Sequence, residues 1–139
     1  MRSFFVIAAI LMGACSAEPL PPLVATEVVV TRPVPGSGTS AAYLTLTNNS
    51  EQAIRITRVT SAEFESVQIH ESTLEDGVAR MRALSELRIP PGESVTLQRG
   101  GKHLMLTRPA GSVDIVSLQF FDGQSLVLSV DAMAKTKIH

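Results

Sequence analysis

A single cysteine, one tyrosine and no tryptophan stand in a chain of 139 residues. One cysteine cannot build an internal disulfide framework, and it cannot build a cysteine-based zinc site, since both need several thiols in one chain. A surplus of either charge is lacking too: 12 Lys and Arg face 13 Asp and Glu, for a formal net charge of -1. Binding a polyanion calls for a clear basic excess, so nucleic acid is excluded as a partner. The composition is 45% apolar and 18% charged, which excludes a disordered chain, and the length suits one small domain. No window of helical length keeps an uninterrupted 3.6 period, and there is no internal repeat.

Part of the apolar excess lies at the N-terminus. Residues 1–17 read as an export signal: Arg2 supplies the positive start, and Phe4 to Met12 form an apolar stretch too short to span a bilayer as a helix. Two cleavage positions are open. A cut before Cys15 leaves that cysteine as a lipidated N-terminus, because Leu11-Met12-Gly13-Ala14-Cys15 resembles a bacterial lipoprotein box; a cut after Ala17 discards it. Either way the folded domain has no thiol. Residues 18–22, rich in proline, read as an extended tether, and the domain is expected over 23–133 with a short tail at 134–139.

From Leu23 onward the pattern has period two. Tyr43 to Thr47, Ile54 to Val59, Ser94 to Gln98 and Leu126 to Val130 are alternating or β-branched runs, and turn residues such as Asp76-Gly77, Pro90-Pro91-Gly92 and Asp122-Gly123 separate them. The spacing predicts an all-β fold, a Greek-key sandwich of about eight or nine short antiparallel strands.

The chemistry lies in the histidines and methionines. Beyond the signal the chain holds three of each, and four of these six are His70, Met81, His103 and Met105. In a strand, Val67 and Ile69 take the apolar face and leave His70 with Gln68 on the other. Likewise Leu104 and Leu106 take the core positions, leaving His103 and Met105 side by side opposite. Met81 is ambiguous between core and site. Singly, a histidine is commonly a surface residue and a methionine a gap filler. Together, two imidazoles and two thioethers form a soft, uncharged donor set suited to Cu(I) rather than to Mg²⁺, Ca²⁺ or thiolate-bound zinc. Thioethers also survive an oxidising compartment without pairing.

The spacing His70-x10-Met81-x21-His103-x-Met105 resembles the copper-binding pattern of the periplasmic copper chaperones known as PCu(A)C. Ala42 to Asn48, Ile69-His70-Glu71, Gly77 to Arg82, and Ile89 to Gly92 with Gly101 to Leu106 are similar to successive segments of that family, and the likeness runs over roughly residues 24–131. It implies a cupredoxin-like sandwich that holds one Cu(I) on those four residues. It further implies delivery, in the periplasm, to the dinuclear copper centre of a haem-copper oxidase, with an oxidase subunit or another copper chaperone as acceptor. Many relatives carry methionine where Glu71 stands, and the tail from Lys135 to His139 lacks the His/Met-rich extension of some, leaving only Met133 and His139 for a second Cu(II) site.

A blue-copper carrier is excluded, because its His₂Cys site needs a cysteine inside the fold. No nucleophile motif accompanies the histidines, so the chain is not expected to be an enzyme; a monomer is expected. Copper buffering, and a metal-free interaction module with the methionines as packing, stay open as alternatives. Glu71 is a candidate acceptor for the free N–H of His70, with a solvated turn as the other reading, and Arg80 and Arg82 flank Met81 with positive charge.

Overall fold

The structure, a computed structural model, describes residues 15–136. The apolar part of the expected export signal and the terminal His139 lie outside the described residues.

Eleven strands and no helix make up the described chain: β1 (Leu23–Thr31), β2 (Thr39–Asn48), β3 (Ile54–Ile56), β4 (Arg58–Thr60), β5 (Phe64–Glu75), β6 (Val78–Ala83), β7 (Leu87–Ile89), β8 (Ser94–Leu97), β9 (Lys102–Pro109), β10 (Ile115–Asp122) and β11 (Ser125–Lys135). The main sheet runs β4-β10-β11-β1-β2-β9-β5-β6, with β8 also on β2, and β3 and β7 form a separate pair. Residues from both ends of that path share one core: Val116, Leu118 and Phe120 of β10 are buried with Ile69 of β5 and with Leu104 and Leu106 of β9. The sheet therefore folds over itself as a sandwich, and the all-β architecture expected from the alternating pattern is the one observed.

One feature that raises the strand count above eight or nine is a break within an expected strand. The run Ile54 to Val59 reads as one strand, but Ile54 and Ile56 are buried at even positions and Val59 at an odd one. One residue, Thr57, absorbs the slip, and a one-residue slip turns side chains to the other face. Its N–H donates to the Phe121 carbonyl (2.9 Å), and the chain passes from pairing β7 to pairing β10. β8 and β9 are successive partners of one edge of β2: β8 faces Leu44 to Thr47 and β9 faces Thr39 to Ala42. Between them residues 98–101 loop outward, with Gly100 at φ 81°, where a glycine avoids the Cβ clash.

Not every pair is antiparallel. The end of β11 runs parallel to β1, with Val30 opposite Ala134 and Thr31 opposite Lys135, while on its other edge Ala134 N–H still donates to the Asp114 carbonyl (2.8 Å) just before β10. This last strand continues to Lys135, inside the segment expected as tail. At the other end of β1, Asn49 holds the incoming tether through its backbone N–H to the Pro22 carbonyl (2.8 Å) and its side chain to the Pro21 carbonyl (3.0 Å).

Candidate metal centre

The site is built on the outer face of three adjacent strands. Strand β9 lies between β2 and β5, and β5 pairs with the edge strand β6. Alternation buries Leu104 and Leu106 completely in the core and turns His103 and Met105 outward together. Across the β5–β9 ladder His70 sits directly opposite His103, and Gln68 opposite Met105. Their faces are therefore the same face. The β5–β6 hairpin closes at Asp76 and Gly77, both at positive φ, as a two-residue hairpin turn demands, and its register puts Met81 opposite Ser72. That register carries Met81 over His70.

The four residues named from spacing thus come together. The His70 and His103 rings lie edge to face, centroids 5.9 Å apart. His70 Nδ1 is 3.0 Å from Met81 Sδ. Met81, His103 and Met105 line a cleft of about 240 Å³ whose walls include Tyr43, Arg32 and Arg99, and the Tyr43 ring centroid is 6.5 Å from that of His103. Exposure varies across the set. His103 is buried at 7% while Met81 is 53% exposed, which settles the ambiguity at Met81: it is not a core residue.

Hydrogen bonds preset the imidazoles. His103 Nδ1–H donates to the Gly101 carbonyl (3.0 Å), which also accepts the Ser72 N–H (3.0 Å), so the ring is fixed to the looped-out segment and Nε2 is free. Metal-binding histidines are commonly oriented by a carbonyl in this manner. His70 Nε2 meets Gln68 Oε1 at 2.9 Å. The His70 pKa lies below the ordinary imidazole value, first because partial burial disfavours the charged form and second because His103 is close. A neutral imidazole is the form a metal needs.

Two expectations about charge need correction. Glu71 neither accepts from His70 nor lies in a turn. It sits in mid-strand on the opposite face, where its carboxylate meets Arg82 of β6 (2.7 Å) and Lys102 of β9 (3.3 Å). Hydrogen bonds from Arg82 and then Lys102 hold its carboxyl below the usual carboxylate range. Arg82 is therefore turned away from Met81, and Arg80 is paired with Glu75 (3.2 Å). Adjacent residues in a strand point to opposite faces, and that alone separates Glu71 from His70.

Among the described residues no three of His, Cys, Asp and Glu group as a metal site, so any metal here depends on the thioethers. Cys15 is an exposed free thiol in the segment before β1 and is not among the residues lining the cleft. Met133, on β11, is 73% exposed, and it is not among the cleft residues either.

Residues 23–131 match the LpqE-like family, described as "Putative lipoprotein LpqE-like". The chain belongs to this family. It is 34% identical over 101 residues to "Putative lipoprotein Lxx21020" of Leifsonia xyli subsp. xyli (strain CTCB07), covering 68% of this chain and 61% of that relative, so the chain spans about three fifths of the curated relative's length. A solution structure of CuI-DR1885 from Deinococcus radiodurans is 30% identical with a TM-score of 0.61, over 91% of this chain and 85% of that one. The copper-bound PCuAC domain from PmoF2 superposes with a TM-score of 0.66 at 20% identity, over 84% of this chain and 94% of that domain. The family resemblance read from the sequence and the fold it implied are both upheld: this LpqE-like protein has the PCuAC fold.

Proposed function

We propose that this LpqE-like protein is a Cu(I) carrier that binds one ion per domain on His70, Met81, His103 and Met105 and releases it by ligand exchange rather than catalysing a reaction. The observation that carries the reading is the convergence of these four side chains on one outer sheet face, with His70 Nδ1 and Met81 Sδ 3.0 Å apart. Neutral imidazoles and thioethers suit a soft monovalent cation. The relative DR1885 carries Cu(I) in its solved structure, which supports the same cargo here.

Release follows from unequal exposure. His103 is buried and fastened to Gly101, whereas Met81 stands half exposed on the edge strand. An approaching thiolate or thioether displaces Met81 first, while His103 and Met105 retain the ion until transfer is complete. Kinship with lipoproteins fits a chain anchored outside the cytoplasm through Cys15, with the acceptor an oxidase subunit that houses a dinuclear copper centre or a second copper chaperone. The test is anaerobic Cu(I) titration of the monomeric domain against a chelator of known affinity, followed by mixing the loaded domain with the acceptor's copper-free domain. One ion bound and then lost to the acceptor is expected; no stoichiometric binding overturns the reading.

A further inference from the structure

Gln68 belongs to none of the four expected ligands, yet it touches the site. It is on β5 two residues before His70, on the same face, and directly across the ladder from Met105. Its Oε1 lies 2.9 Å from His70 Nε2, while the other ring nitrogen lies 3.0 Å from Met81 Sδ. A neutral imidazole carries one N–H and one lone pair, and the hydrogen bond made by one nitrogen decides what the other can do.

We propose that Gln68 is a positioning residue that holds His70 as the Nε2–H tautomer, so that His70 offers copper its Nδ1 while His103 offers its Nε2. The inference rests on the copper reading given above. For His103 the assignment follows from the partner: a backbone carbonyl only accepts, so Nδ1 bears the proton and Nε2 is the donor atom. For His70 the amide oxygen of Gln68 plays the same part from the opposite side of the ring. Nδ1 then directs its lone pair at the thioether sulfur, an arrangement of two electron-rich atoms that a cation between them stabilises. The opposite tautomer requires the Gln68 amide to turn over and donate an N–H to Nε2; in exchange it gains only a weak N–H···S contact at Nδ1, since a thioether is a poor acceptor, and it leaves no lone pair facing Met81. The two histidines thus enter the site through different nitrogens, each preset by a different kind of oxygen. A side-chain amide can swing away during transfer, and a backbone carbonyl cannot, which makes His70 with Met81 the half of the site that opens.

Long-range ¹H–¹⁵N correlation spectra of the full domain, apo and loaded with Cu(I), test this directly, because Cu(I) is diamagnetic and the proton remains on the nitrogen that does not bind. The expected result is Nε2–H at His70 and Nδ1–H at His103 in the loaded protein. Gln68→Leu should bring apo His70 toward a tautomer mixture and weaken Cu(I) by about tenfold, the low end for a partner outside the ligand set. Gln68→Glu keeps an acceptor and should retain both properties. The exposed position leaves the backbone amide spectrum as the check on folding. An Nδ1–H signal from His70 in the loaded protein, or a Gln68→Leu variant with unchanged tautomer and affinity, overturns the proposal. If no Cu(I) binds at all, the copper reading fails by itself, and the apo spectra of wild type and Gln68→Leu still decide whether Gln68 sets the tautomer.

Discussion

The two faces of strand β9 present opposite solutions to the same alternation. Leu104 and Leu106 point into the sandwich and are fully buried, while His103 and Met105, one residue out of phase, point to a cleft on the outside. The inner face is held by apolar contacts from both layers, whereas on the outer face His103 is held by a hydrogen bond to Gly101, and His70 of the neighbouring β5 contacts Gln68 and the half-exposed Met81. The lesson is a separation of labour: the residues that fold the protein and those that hold a cargo alternate along one strand, so a soft ligand can be changed without opening the core.

The largest expected effect breaks the inner face. Leu104→Ala should lower stability by about 3 kcal/mol, within the range for emptying a fully packed aliphatic site, whereas Met105→Ala next to it should cost about 1 kcal/mol or less. Urea unfolding of the two apo variants checks this, and equal losses would place Met105 in the packing. On the outer face, His103→Ala should weaken Cu(I) by more than about a hundredfold, beyond what partners outside the ligand set contribute, measured by chelator competition. Met81→Ala, at an exposed edge position, should leave the melting temperature within a degree or two. Its copper should pass to a competing chelator faster than that of Met105→Ala.

Acid sharpens the comparison. Proton competition at an imidazole weakens Cu(I) by up to about tenfold per pH unit for each histidine that must deprotonate, while thioethers feel none of it. Because the His70 pKa is lowered in the folded protein, the native state binds fewer protons than the unfolded chain between that lowered value and the ordinary imidazole pKa of about 6.5. Apo stability from this group is therefore full above that range and declines as pH falls through it, which melting temperatures from pH 8 to pH 5 would show. Cu(I) affinity that stays flat over the same interval would remove histidine from the ligand set. The smallest effect belongs to Glu71→Gln, which loosens a partly exposed ion-paired trio behind the site; copper stoichiometry should stay at one by titration, with only a slight loss of thermal stability.

Much of the site is legible in the sequence because strand alternation is a local rule. Val67 and Ile69 against His70, and Leu104 and Leu106 against His103 and Met105, can be phased without knowing any partner strand. Met81 cannot. Its flanks, alanines on one side and arginines on the other, carry no apolar phase, and only the pairing with β5 shows that it lies on the outer face over His70. Glu71 is the reverse case: its neighbour in sequence is His70, but its contacts are Arg82 and Lys102 on the two flanking strands. The break at Thr57 did leave a trace, since Ile54, Ile56 and Val59 change phase, although nothing local says that the two halves pair with different strands.

By itself, the sequence determined the all-β class, the absence of a thiol in the domain and the four soft donors at their spacing, because composition and period two depend only on neighbours along the chain. The tertiary structure decided the rest: which strands lie side by side, that His70 faces His103, that Gly101 and Gln68 each claim one ring nitrogen, and that Met81 is left half open at the edge. The strand pairings join residues as much as 104 positions apart, Val30 with Ala134, and His70 meets His103 across 33. No local propensity encodes such pairings, since their energy exists only after the sheet has formed.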